Sequence, residues 1–141
     1  LSIYDPAADG WRALSGAALP AGLGIPWARR VDGLWRYGLL TGDGHRNPHG
    51  VVHGGVLTAF ADHGLSLYAW EAAHRGPCTT IQLNTHFLHP VAPGEFVELR
   101  GEVTRRTLGL VFLRGLIAAR ASDGVRDAVA VDGIWRILRP R

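Results

Sequence analysis

Lysine is absent from this 141-residue chain, so all fifteen basic residues are arginine. They are scattered from Arg12 to Arg141, and only Arg29-Arg30 and Arg105-Arg106 are adjacent. A nucleic-acid partner is therefore not expected, because binding a phosphate backbone calls for a dense basic stripe with interleaved aromatics. A formal net charge of +3 better suits an anionic small molecule held by two or three guanidinium groups. Cysteine is nearly absent too. The lone Cys78 excludes an internal disulfide framework and a multi-cysteine metal knuckle. No window approaches the roughly 18 uninterrupted apolar residues of a membrane span, and no basic flank leads into an apolar run near Leu1. The expectation is a cytoplasmic protein without a membrane partner.

What is present is apolar. Hydrophobic residues make up 47% of the chain and charged residues 19%, a balance that buries a core and argues against disorder. The length fits one domain, residues 1–141, led by an extension over residues 1–33. That extension is rich in glycine, alanine and proline, and reads as a short helix over Pro6 to Leu14 followed by a loop. Trp35 to Leu40 reads as the first strand, and the glycine-bearing stretch Thr41 to Val52 as a loop. From Gly54 to about Ala73 apolar residues fall on nearly every helical face, which marks a helix wrapped by other structure. His74-Arg75-Gly76-Pro77 stops it. Strand patterns follow: Thr79 to Phe87, Glu95 to Arg106, Leu110 to Arg120 and Val125 to Leu138. Short turns at Thr107-Leu108-Gly109 and Ser122-Asp123-Gly124 join the last three. The fold class is α+β, with one long helix rolled inside a curved antiparallel sheet.

Asp62 sits in the middle of the apolar helix, where a carboxylate is costly unless paired, hydrogen-bonded or facing a cleft. His53-Gly54-Gly55 opens the same helix. Its first N–H groups lack internal partners, lie at the positive end of the helix dipole and are not shielded by side chains. Such groups can hold a ligand oxygen, including a carbonyl becoming an oxyanion. Gly54 and Asp62 are eight positions apart, about 12 Å along a helix axis. One reacting group cannot touch both, since it needs partners at roughly 3 Å. If the two share a reaction, antiparallel helices from two protomers must bring them together.

Asn47-Pro48-His49-Gly50-Val51-Val52-His53-Gly54-Gly55, followed by Phe60-Ala61-Asp62, resembles the N-x-x-G-x-x-H-G-G…D signature of hotdog-fold acyl-CoA thioesterases. The branch it resembles contains the phenylacetate-pathway and thioesterase-superfamily enzymes. The likeness continues through Thr79-Thr80-Ile81-Gln82-Leu83-Asn84 to Pro90. It implies a hotdog fold and hydrolysis of an acyl-CoA to a free acid and coenzyme A, without metal or other cofactor. It implies that Asp62 is the nucleophile or general base and that the Gly54 N–H polarises the thioester carbonyl. Asn47 would help fix the carbonyl or the attacking water, and Thr80 would orient that water. His53 joins this catalytic group by bracing the loop, while Gly55 and His63 adjoin the substrate. The implied assembly is a homodimer, with Asn and Gly from one subunit facing Asp and Ser/Thr from the other, and such dimers commonly pair into homotetramers. A non-catalytic acyl-CoA-binding module on the same fold is the alternative.

Other constellations are weaker. His45, His49 and His53 are spaced like helical zinc ligands, yet Pro48 and Gly50 make the stretch a loop. No nucleophile elbow surrounds Ser15 or Ser66. Arg105 and Arg106 are candidates for the coenzyme A phosphates, or else two solvated turn arginines. Tyr68, Trp70 and Phe87 line either an acyl pocket or the core. His86 and His89 read as surface or pocket-lining groups.

Overall fold

In the computed structural model, which describes residues 4–16, 19–20 and 22–139, the apolar stretch is one helix, α1 (Gly54–Ala72). His53 starts it. Its backbone is extended (φ −60°, ψ 133°), and its ring Nδ1 accepts the Gly55 N–H at 2.8 Å. The imidazole thus fills the N-cap position that Ser, Thr, Asp or Asn more often occupies. The helix ends where His74 and Arg75 turn left-handed (φ 54° and 62°). The Arg75 N–H then reaches back to the Trp70 carbonyl at 2.8 Å.

Seven strands surround the helix: β1 (Arg12–Ala13), β2 (Trp27–Val31), β3 (Leu34–Leu40), β4 (Cys78–Phe87), β5 (Phe96–Arg106), β6 (Leu110–Ala121) and β7 (Gly124–Ile137). They form one antiparallel sheet in the spatial order β1-β2-β3-β5-β6-β7-β4. The passage from β3 through α1 carries the chain to the far edge of the sheet, and β5 then returns to lie beside β3. Long strands in a sheet twist and coil, so β5, β6 and β7 curl around the helix. Val97, Leu99, Val111, Leu113, Ile117, Val129, Val131 and Trp135 pack on Leu57, Phe60, Ala61, Leu65 and Ala69. Each fully buried side chain of this size contributes about 1.5–3 kcal/mol. The helix approaches β5 closely at Gly64, where a Cβ would lie 2.4 Å from Leu99 Cδ2. This is the arrangement of the hotdog fold.

Two expectations change. Residues 6–14 are not a helix: only Ala7–Asp9 makes a 3-10 turn, ended by left-handed Gly10 (φ 85°), and Arg12–Ala13 pairs with β2. The strand at Trp35 is accordingly the third and not the first. The reason is packing. Trp11 is buried with its ring 4.9 Å from that of Phe96, while the Arg29 guanidinium lies over Trp11. These contacts draw the segment onto the sheet, overriding a weak local preference. The helix is also less enclosed than its composition suggests. Phe60, Ala61, Gly64 and Leu65 are buried, but Val56, Ala59 and Leu67 are half-buried and Trp70 is exposed.

The third difference lies in β4. Simple alternation puts Thr80 on the face opposite Leu83, Thr85 and Phe87. A β-bulge between Thr80 and Gln82 changes the phase, so Thr80 pairs with Trp135 while Leu83 pairs with Gly133 and Thr85 with Val131. Thr80 therefore shares the helix-facing side with Leu83, and Ile81 is left 55% exposed. Bulges re-aim side chains in this way. β4 is an edge strand: it pairs with β7 on one side, and its other side has no strand among the described residues.

Candidate active site

The re-aimed Thr80 meets the helix carboxylate. Thr80 Oγ1 donates to Asp62 Oδ1 at 2.6 Å, in a half-buried setting between β4 and α1. A hydroxyl bound to one carboxylate oxygen fixes the rotamer and leaves Oδ2 available, since an ionised carboxylate accepts on both oxygens. Among the described residues Asp62 makes no ion pair. His63 lies beside it in sequence but does not supply a positive charge near neutrality. Burial pushes the His63 imidazole below the ordinary histidine range, outweighing the opposite pull of Asp62. Its Nε2 is buried without a partner among the described residues.

At the start of α1 the two glycines are not equivalent. The Gly55 N–H is consumed by the His53 ring, whereas the Gly54 N–H has no acceptor among the described residues. The helix dipole therefore presents one unused donor there. Nearby, Asn47 organises the loop: its Oδ1 accepts from the His49 and Val51 N–H groups at 2.9 and 3.2 Å. Its Nδ2 donors have no acceptor among the described residues. The three evenly spaced histidines do separate jobs. His45 is buried, with Nδ1 accepting the Gly42 N–H at 3.1 Å and Nε2 3.2 Å from the Gly22 carbonyl. His49 is exposed, and His53 caps the helix.

Within one chain, the helix keeps Gly54 and Asp62 about 12 Å apart. Asn47, His53, Gly54 and Gly55 therefore gather at one end, and Asp62, His63 and Thr80 at mid-helix. Arg105 and Arg106 lie elsewhere. Arg106 Nε donates to the Ala72 carbonyl at 2.8 Å, capping the last turn of α1, and Arg105 is exposed near the same end. That places them roughly 27 Å from the Gly54 turn, at about 1.5 Å per residue over the helix.

The chain's own surroundings of Gly54 include residues given little weight in the sequence. A cavity of about 260 Å³ adjoins the first helical turn, lined by Gly54, Leu57, Phe87, Leu88, His89 and Val91 among others. A Cβ on Gly54 would lie 3.2 Å from Phe87 Cζ. Beside the cavity, Arg126 donates through Nε to His89 Nδ1 at 2.7 Å and through one terminal nitrogen to both Glu95 carboxylate oxygens at 2.8 and 2.9 Å. The same His89 Nδ1 also lies 2.8 Å from the Pro90 carbonyl oxygen. The Phe87 side was legible from alternation with Leu83 and Thr85; the Arg126 partnership spans 37 residues and had no local signal.

Residues 49–131, more than half of the chain and including Gly54, Asp62 and Thr80, match the model of the thioesterase superfamily. The chain belongs to that superfamily. It is a thioester hydrolase by family. Among solved structures, it is similar to a phenylacetic acid degradation-related protein of Ralstonia eutropha, at 26% identity and a TM-score of 0.71, with 86% of this chain and 92% of that one covered. It also resembles a Bacillus halodurans protein solved with CoA, at 22% identity and a TM-score of 0.70, covering 81% and 74% of the two chains. A hexameric thioesterase of Yersinia pestis shares the fold at 22% identity and a TM-score of 0.69, covering 74% and 89%. No curated protein matches the sequence. Among the described residues, no helix is long and apolar enough to cross a membrane.

Proposed function

We propose that this thioester hydrolase acts on acyl-CoA, releasing a free carboxylic acid and coenzyme A, at two equivalent sites of a homodimer. The observation that carries the reading is the Thr80–Asp62 hydrogen bond at 2.6 Å, on a helix whose first N–H at Gly54 is unused. The 12 Å between those groups argues for two chains. The bare β4 edge offers a way to bring them together. Antiparallel pairing of two β4 strands about a two-fold axis would extend the sheet and lay the two α1 helices side by side. Gly54 of one protomer would then face Asp62 and Thr80 of the other. Pairing of such dimers into tetramers remains part of the proposal, and the hexameric relative shows that larger assemblies also occur on this fold.

In this site the thioester carbonyl oxygen accepts from the Gly54 N–H, which stabilises the negative charge that develops when the carbonyl is attacked. Asp62 serves as general base through its free oxygen, taking a proton from water as the water adds to the carbonyl carbon. Thr80 holds the carboxylate and its lone pairs help orient the water. Collapse of the tetrahedral intermediate breaks the C–S bond, and the departing thiolate of coenzyme A takes the proton held by Asp62, which restores the carboxylate. Asn47 Nδ2 is available to the carbonyl or the water. Gly55 and His63 adjoin the substrate, and Arg105, which is exposed, is available to meet a phosphate. No step calls for a metal or other cofactor. Asp62→Asn is the test. Its thiol release from acyl-CoA should fall by at least a hundredfold while the melting curve and acyl-CoA binding persist, and wild-type turnover in that variant would overturn the reading.

A further inference from the structure

One end of the molecule carries most of its unpaired positive charge. Three segments meet there: the last turn of α1 and its passage into β4 (residues 70–78), the β5–β6 hairpin (residues 105–110) and the end of β7 (residues 136–139). Backbone hydrogen bonds join them, from the Ile137 N–H to the Gly109 carbonyl at 2.8 Å and from the Leu138 N–H to the Pro77 carbonyl at 2.9 Å. Six arginines make no ion pair among the described residues: Arg12, Arg30, Arg105, Arg106, Arg136 and Arg139. Four of these six lie in the three segments. Together with Arg75, and against Glu71 as the one acid in these segments, they give this end a formal charge of +4, whereas the whole chain carries only +3.

Apolar side chains are exposed at the same end. Leu108, at the tip of the hairpin, is 69% exposed and Leu138 is 54% exposed. An isolated surface leucine is ordinary, but turn tips favour Gly, Asn, Asp or Ser, and these two leucines stand where the charge is concentrated. The tip is held firmly. The Thr107 N–H donates to the Leu110 carbonyl at 2.9 Å, and Thr107 Oγ1 accepts the Leu110 N–H at 3.0 Å. Trp70, also exposed, has the Arg75 guanidinium over its ring at 5.2 Å. β7 and β4 stand between the hairpin and the bare β4 edge, so the β4 pairing described above leaves the tip uncovered.

We propose that this end is a peripheral docking surface for a bilayer that contains anionic phospholipid. Leu108 and Leu138 enter the boundary of the acyl chains, while Arg136 and Arg139 keep their guanidinium groups at the lipid phosphates. Trp70 under Arg75 suits the interfacial layer, where amphipathic rings collect. The charge selects an anionic surface. The leucines select lipid over nucleic acid, because an aliphatic side chain offers no platform for stacked bases and the Trp70 ring already carries a guanidinium. The expectation of no membrane partner rests on the lack of a span, and a peripheral contact needs none. The inference stands apart from the acyl-CoA reading, since the Gly54 turn is roughly 27 Å away.

The test is sedimentation of the intact protein with vesicles of phosphatidylcholine, alone or with about 30% phosphatidylglycerol. Binding to the anionic vesicles should be at least tenfold tighter, and should weaken at least tenfold as salt rises from about 0.05 M to about 0.3 M and the screening length shortens. Each arginine near such a surface strengthens binding roughly fivefold, so Arg136→Gln/Arg139→Gln should lose about 25-fold. Arg12→Gln/Arg30→Gln makes the same change in net charge elsewhere on the molecule and should lose less than about threefold. Leu108→Ser/Leu138→Ser should lose at least tenfold while its melting curve persists. A DNA duplex at equal phosphate concentration should not displace the protein from the vesicles. Absence of binding to the anionic vesicles, equal losses in the two arginine pairs, or a leucine variant that binds as wild type would overturn the proposal. So would release by the duplex, which would make the surface a nucleic-acid site.

Discussion

Replacing Gly54 with proline removes the hydrogen-bond donor assigned to the thioester carbonyl. Gly54 is the first residue of α1, a position where proline is favoured because the N–H it lacks has no intrahelical acceptor. Proline also requires extended backbone in the residue before it, and His53 already has φ −60° and ψ 133°. The substitution does add carbon beside Phe87, since a Cβ there would sit 3.2 Å from the ring. Phe87 is exposed enough to shift by the few tenths of an ångström needed. Gly54→Ala makes the same Cβ contact but keeps the N–H, so the ratio of the two variants reads the loss of the donor together with the ring carbon that takes its place. Loss of one oxyanion donor costs about 10²–10³ in kcat, or about 2.7–4 kcal/mol of transition-state stabilisation. Stability should not fall in parallel, because replacing glycine at a compatible position restricts the unfolded chain and contributes about 0.4–1 kcal/mol. Steady-state thiol release and thermal melts of both variants supply the comparison. The expected result is a proline variant at least a hundredfold slower than the alanine variant, with an equal or higher Tm. Equal kcat in the two would refute the assignment of the Gly54 N–H to the carbonyl oxygen.

Two further perturbations probe mid-helix. Thr80→Val deletes the donor to Asp62 while keeping the shape, and hydrogen bonds to charged groups contribute about 1.5–3 kcal/mol. A ten- to hundredfold fall in kcat is expected, with Thr80→Ser retaining most activity; an unimpaired valine variant would show that the hydroxyl has no part. His63 predicts an acid sensitivity. Its folded pKa lies below the ordinary 6.5 because burial disfavours the cation, so the unfolded state binds more protons in that window. The group costs nothing above pH 6.5 and progressively more stability as pH falls toward its folded pKa. Melts at pH 7.5, 6.5 and 5.5 should therefore show a shallower decline for His63→Asn than for wild type, and parallel declines would contradict the assigned shift.

The helix and its limits were legible in the sequence, because they depend on local chemistry: unshielded glycines after His53, an apolar run without proline, and a stop at His74-Arg75-Gly76-Pro77. So were the succession of four strands along the chain after Pro77, though not the place of β4 beside β7, and the separation of Gly54 from Asp62, since rise per residue is a property of the backbone alone. The signature from Asn47 to Asp62 carried the family for the same reason. Local pattern could not reveal β1 and β2, because Trp11 and Arg29 are held there by each other and by Phe96, residues far apart in the chain. Nor could it show that Thr80 faces Asp62. Alternation along β4 predicts the opposite face, and only pairing with β7 creates the bulge that reverses it. Gly54 and Gly55 look interchangeable until the His53 ring takes one N–H and leaves the other. Arg105 and Arg106 are alike in the sequence, candidates for phosphate or solvated turn residues, and only the fold shows that Arg106 donates to the Ala72 carbonyl at the end of α1, because a guanidinium's partner is whatever carbonyl the folded chain brings within reach. Spacing along one element is set by covalent geometry, whereas the direction a side chain takes across elements is set by what it packs against.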